Sequence, residues 1–203
     1  MLAIAGGKGG TGKTTTALGL GTVLARRRRD PLLVEGDVGM PNLHLRAGAS
    51  DDGLASLAAG ASLDAVADEA ARFPGVDVLG ATQGADLDAA LRRLVTDRPV
   101  IVDGAAGAAE RAVTPLRHAD HALVVTRDSP AALTDAIKTI EQARAVGTQV
   151  VGTLVSRASD VSDEVAGTLP TDTIYCVPRV DKPVTNRTVR DVYSRILERW
   201  INA

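Results

Sequence analysis

Near its start the chain reads "AIAGGKGGTGKTTTALGL", and few folds accommodate such a segment. A short apolar run, Leu2–Ala5, passes through a glycine-rich stretch into residues 14–28, whose apolar positions recur at helical spacing. Within it, Gly7-Lys8-Gly9-Gly10-Thr11-Gly12-Lys13-Thr14 fits the spacing G-x-x-x-x-G-K-[ST] in the strand–loop–helix context that spacing requires. Glycines let the backbone turn tightly and bring several N–H groups to one place. The helix beginning near Lys13 directs the positive end of its dipole there as well. These donors suit a phosphate chain. Lys13 is expected at the β- and γ-phosphates and the Thr14 hydroxyl on Mg²⁺, so the loop Gly7–Thr15 reads as a nucleoside-triphosphate site.

The rest of the chain agrees with that beginning. Leu32–Val34, Val76–Leu79, Val100–Val102, Ala122–Thr126, Val150–Val155 and Thr173–Val177 are short apolar runs, the pattern of strands buried on both faces. Stretches 85–95, 130–146 and 188–201 carry helical spacing, with Ser129-Pro130 as a start signal and Gly147 as a stop. Residues 51–75 read as two short alanine-rich helices. The alternation predicts an α/β fold, a doubly wound and mostly parallel sheet with helices on both faces, in a single domain over 1–203. Only 2% of residues are aromatic, so the core must be aliphatic and stacking on nucleic-acid bases is nearly unavailable.

A second lysine, Lys8, stands five residues before Lys13. Two cations beside one loop repel unless phosphate oxygens lie between them, and an extra cation can stabilise charge on a transferring phosphoryl group. The loop "KGGTGKTT" resembles the deviant Walker A motif of the MinD/ParA family of P-loop ATPases, most nearly its MinD-like members. "LLVEGDVGMPNLHLRAG" resembles that family's switch I segment, with Asp37, Gly39, Asn42, Leu43 and Gly48 in the matching places. "PVIVDGAAG" is similar to its Walker B and switch II segment.

The resemblance implies a P-loop NTPase fold of the SIMIBI type and slow hydrolysis of ATP with Mg²⁺. Lys8, Lys13 and Asp37 would be catalytic, Lys8 acting on the nucleotide of a partner copy. Gly7, Gly9, Gly10, Thr11, Gly12, Lys13, Thr14 and Thr15 would bind the nucleotide, with Asn42 and Gly107 in the two switch segments. Thr14, Asp37 and Asp103 would serve the metal. On the base side, Ser156 and Arg157 in "TLVSRAS" and Pro178 and Asp181 in "VPRVD" occupy the family's positions. The chain departs from the pattern in Glu35 and Gly36, where the first acid of D-x-D is expected, and in Ser156, where an adenine-reading asparagine is expected. A serine hydroxyl is shorter and makes fewer hydrogen bonds.

The same resemblance implies an ATP-dependent homodimer and a protein partner that stimulates or reads the switch. Its output would be positioning of the division site or another cellular structure. A DNA-partitioning ATPase of ParA type and a weakly hydrolysing ATP-sensing module are the rivals. Lys+Arg number 23 and Asp+Glu 25, a balance that argues against a nucleic-acid coat, and the run Arg26–Arg29 reads as a solvated helix end. Val189, Val192, Ile196, Trp200 and Ile201 share a helical face that reads as core packing, so no dedicated membrane-targeting helix is expected. Residues 1–5 are too short for a secretory leader, and the reading is cytoplasmic with at most peripheral membrane contact. The lone Cys176 excludes a disulfide framework within one chain and reads as a buried strand residue. His44, His118 and His121 show no metal-type spacing.

Overall fold

Eight strands among the described residues form one sheet in the computed structural model, which describes residues 1–107 and 110–202. In chain order they are β1 (Leu2–Gly6), β2 (Leu32–Gly36), β3 (Asp68–Glu69), β4 (Asp77–Leu79), β5 (Val100–Ala106), β6 (His121–Arg127), β7 (Gln149–Ser156) and β8 (Ile174–Val177). Their spatial order is β3-β4-β2-β5-β1-β6-β7-β8. All neighbours are parallel except β3, which pairs antiparallel with β4. Every apolar run marked as a strand in the sequence is one. The two-residue β3 was not visible because "DE" has neither β propensity nor alternation.

The helices are α1 (Lys13–Arg26), α2 (Leu43–Ala47), α3 (Gly53–Ala58), α4 (Leu63–Val66), α5 (Leu87–Arg93), α6 (Glu110–His118), α7 (Pro130–Ala145), α8 (Asp163–Thr168) and α9 (Arg187–Ile201). The two short helices expected in 51–75 are α3 and α4. The sequence did not mark α2, α6 or α8, which are short or carry a proline, as α6 does at Pro115.

Strand alternation sorts the core onto two faces. From β1, Leu2 and Ile4 join the cluster with α1 and α9, while Ala3 and Ala5 join Leu116 of α6 and Ala143 of α7. The small alanines let α6 and α7 lie close on that face. In α9, Val189, Val192, Ile196 and Trp200 are buried, each apolar side chain worth about 1.5–3 kcal/mol. Ile201, expected on the same face, is 47% exposed because it follows Trp200 by one residue, about 100° around the helix, and so points off the buried stripe. Cys176 is half-buried, not buried, since β8 is an edge strand. No helix among the described residues is long and apolar enough to cross a membrane.

The chain leaves β1 toward β2 and β5 on one side and β6 to β8 on the other. The carboxyl end of β1 is thus the point where the strand order reverses, the crevice in which open α/β sheets take ligands. Residues 7–12 lie there.

Candidate functional site

The loop after β1 is shaped by what its glycines avoid. A Cβ on Gly6 would run into the Val125 carbonyl of β6, and one on Gly7 into Asp135 of α7. Gly10 (φ 72°) and Gly12 (φ 106°) are left-handed, and Gly12 caps α1 without any side-chain hydrogen bond. The first turn of α1 carries no acidic residue, so its N–H groups are open to an external anion.

One side of the loop opens on a cavity of about 370 Å³. Gly9, Gly10 and Gly12 form its floor with Lys13, Thr14 and Thr15 at the start of α1. Asp37, Asn42 and Asp103 close it from the ends of β2 and β5. Lys13 is 8% exposed and donates from Nζ to the Lys8 carbonyl at 3.2 Å. Burial holds its ammonium below the usual lysine range, against the attraction of Asp103 and Asp37. Asp103 lies within β5, not beyond the apolar strand, in register with Ile4 and with Glu35. It is 2% exposed, and its Oδ1 has no partner among the described residues. Burial pushes its carboxyl up to about 7, with the charges of Glu35 and Asp37 adding to the rise and the Thr14 hydroxyl and Lys13 opposing it. A buried carboxylate oxygen without a donor, beside a threonine hydroxyl and a second carboxylate, is a donor set that fits a hard divalent cation. No three His, Cys, Asp or Glu groups converge among the described residues, so such a cation would draw its other ligands from water and phosphate.

Glu35, an irregular residue by motif, is fully buried and organises the loop that follows β2. Its Oε2 accepts from the Asn42 and Leu43 N–H groups, both at 2.7 Å, and its Oε1 from Asp37 N–H at 3.1 Å. Burial raises its carboxyl above the ordinary range, against those three bonds. Asp37 Oδ1 in turn accepts from Met40 N–H at 3.2 Å. The segment 37–43 is therefore pinned at both ends by one side chain.

On the other side of the loop lies a second cavity, of about 310 Å³. The structure brings Ser156, Arg157, Pro178 and Asp181 together there with Thr11 and Thr15. Tyr193 of α9 closes it from below, its phenol pushed up to about 12 by burial. Arg157 holds φ 61° at the end of β7 and borders both cavities. The Ser156 hydroxyl is turned to the loop, donating to the Thr11 carbonyl at 2.6 Å with the Thr126 carbonyl at 3.0 Å.

Gly7, Lys8 and Gly107 border neither cavity. Gly7 packs on α7, and Gly107 (φ 97°) turns the chain after β5. The Lys8 ammonium is half-exposed and lies 3.7 Å from Asp135 Oδ2. Three residues of this region had no motif to mark them. Arg46 and Met40 border the cavity that Asp37 and Asp103 close, and Arg127 donates from Nη2 to the Gly10 carbonyl. Arg127 carried one faint signal, a cation closing an otherwise apolar strand.

Residues 2–171 match the sequence model of the CobQ/CobB/MinD/ParA nucleotide-binding domain. An uncharacterized ATP-binding protein of Methanocaldococcus jannaschii is 30% identical over 191 residues, 87% of this chain. The chain spans 71% of that protein's length but 64% of two further relatives, under two thirds of theirs. The crystal structure of the cell division ATPase MinD of Pyrococcus furiosus superposes with a TM-score of 0.84 at 25% identity, covering 99% of this chain and 98% of that one. Septum site-determining MinD of Pyrococcus horikoshii, complexed with Mg-ADP, superposes with a TM-score of 0.76 at 25% identity, covering 100% of this chain and 89% of that one.

Proposed function

The chain belongs to the CobQ/CobB/MinD/ParA family of nucleotide-binding domains, and from that premise we propose that it is a MinD-like switch that binds and slowly hydrolyses ATP to time the placement of a cellular structure. The observation that carries this reading is Asp103: a carboxylate buried without a partner for Oδ1, next to Lys13, at the foot of a glycine loop whose N–H groups are open. A polyanion and a cation would give those N–H groups and that oxygen the partners they lack.

In this reading the loop amides and Lys13 hold the β- and γ-phosphates, and the second cavity, through Arg157, Pro178 and Asp181, holds the base. Bound Mg²⁺, held through Thr14 and Asp103, would neutralise charge on the transferring phosphoryl group. Asp37 accepts a hydrogen bond from the attacking water and aims it, its backbone fixed by Glu35. Lys8 lies outside its own phosphate cavity and half in solvent, which supports a role on the nucleotide of a second copy. Hydrolysis then relaxes the segments around Gly39 and Gly107 and releases the dimer, or a protein bound to it. The Mg-ADP in the P. horikoshii relative supports the choice of ligands.

The test is ATP turnover by the purified protein. The unmodified chain should release phosphate slowly with Mg²⁺. Lys13→Ala should lose nucleotide binding, and Asp37→Ala should bind ATP without turnover. No binding and no turnover in the unmodified chain would end the reading. Binding without turnover in that chain would make it an ATP-sensing module.

A further inference from the structure

Arg127 and Ser156 stand side by side at the carboxyl ends of β6 and β7, paired in register, and both reach the glycine loop. Arg127 donates to the Gly10 carbonyl, and Ser156 donates to the Thr11 carbonyl at 2.6 Å. Both are seated directly against the loop. A Cβ on Gly10 would lie 3.7 Å from Arg127 Nη2, and one on Gly12 would lie 3.9 Å from Ser156 Cβ. These are two successive peptide units, Gly10–Thr11 and Thr11–Gly12.

A trans peptide is planar, so the C=O of one residue and the N–H of the next point in opposite directions. Drawing the Gly10 and Thr11 carbonyls toward the strand ends turns the Thr11 and Gly12 N–H groups away from them. Neither N–H finds an acceptor among the described residues. The arrangement also leaves Arg127 Nε buried without an acceptor, a loss of about 1–3 kcal/mol that the fold tolerates. A loop this rich in glycine would otherwise sample many peptide orientations.

We infer that Arg127 and Ser156 are positioning residues, a clamp at the strand ends that aims the Thr11 and Gly12 amides at bound phosphate. The clamp rests on the nucleotide reading above and deepens it. It gives Ser156 a different task from reading the base: its one hydroxyl hydrogen lies between the Thr11 carbonyl at 2.6 Å and the Thr126 carbonyl at 3.0 Å and goes to the nearer, on the loop. Pre-aimed donors bind more tightly because no orientation has to be frozen on binding.

The measurement is calorimetric titration of Mg-pyrophosphate, ADP and adenosine into the full chain and its variants. Ser156→Ala and Arg127→Ala should each bind Mg-pyrophosphate about tenfold more weakly, the loss of one aligned donor, with a much smaller change in adenosine affinity. Ser156→Thr, which keeps the hydroxyl, should restore the affinity. Arg127→Lys should restore part of it, keeping the charge but not the planar fork. Ser156 carries no charge, so its loss cannot be electrostatic, and it carries the test alone should Arg127→Ala fold poorly. Unchanged pyrophosphate binding in Ser156→Ala overturns the clamp. So does a Ser156→Ala variant that loses adenosine but not pyrophosphate, since Ser156 would then touch the base. A parent chain that binds neither pyrophosphate nor ADP fails the nucleotide reading and the clamp with it; a parent that binds while its variants bind equally sinks the clamp alone.

Discussion

Asp103 ionises against its surroundings, and this has a measurable consequence. Its carboxyl is pushed from an ordinary 3.8 to about 7 in the folded chain. Between those values the folded protein keeps a proton that the unfolded chain has released, so stability falls as pH rises through that window and levels off above it. Each tenfold difference in proton affinity between the two states is worth about 1.4 kcal/mol. Ligand-free Asp103→Asn should therefore be more stable than the parent at pH 8, by roughly 4 kcal/mol, with the gap narrowing by more than half at pH 5. Thermal melts in chelator across that range check it; a gap that does not change with pH would refute the assigned burial. Glu35 calls for the opposite experiment. Its two oxygens satisfy three backbone N–H groups, so Glu35→Ala should lose about 2–4 kcal/mol and loosen segment 37–43, seen as faster amide exchange at Asn42 and Leu43. Glu35→Asp, one methylene shorter, should recover only part of the loss.

Among the elements, the contact of α1 with α9 supports the site from beneath. Gly19 faces the ring of Tyr193, and a Cβ there would overlap the ring. Tyr193 is 1% exposed and cannot swing into solvent. Gly19→Ala gains about 1 kcal/mol of helix propensity but should still lower stability by a net 1–2 kcal/mol, because overpacking a full core outweighs the gain. Tyr193 borders the cavity that the proposed function gives to the base, so in that reading the same variant should bind ADP more weakly while binding pyrophosphate normally. Denaturant melts and calorimetry together separate the two effects.

For the molecule as a whole, the proposed switch predicts coupled changes in stability and assembly. Mg-ATP at a hundredfold above its dissociation constant should stabilise the fold by about 2.7 kcal/mol, read as a raised melting midpoint. Asp37→Ala, loaded with Mg-ATP, should sediment as a dimer, and adding Lys8→Ala should return it to monomer while the raised midpoint persists. The separation follows from geometry. Lys13 lines its own phosphate cavity and Lys8 does not. The ion pair of Lys8 with Asp135 is exposed and worth less than about 1 kcal/mol, so it is readily given up. A Lys8→Ala variant that dimerises normally would refute the proposed exchange.

Local patterns in the chain mark the seven parallel strands, the glycine loop and most of the face that α9 buries. These follow from local rules: apolar runs that must be covered on both faces, glycines where the backbone turns left-handed, and 3.6-residue periodicity in α1, α7 and α9. Lys13, Thr14, Asp37 and Asp103 were legible because a motif fixes their spacing, and the strand order brings them together at the end of β1. Roles that depend on partners distant in the chain come from packing. Glu35 looked like a departure from a pattern, and the fold makes it the anchor of segment 37–43. Ser156 looked like a shortened base reader, and its hydroxyl faces the Thr11 carbonyl 145 residues away. Arg127 had no motif at all, yet it reaches Gly10 across 117 residues. Spacing along a chain encodes which way a side chain faces on its own helix or strand; only the packed sheet, by setting which strand ends are neighbours, decides which carbonyl that side chain can reach.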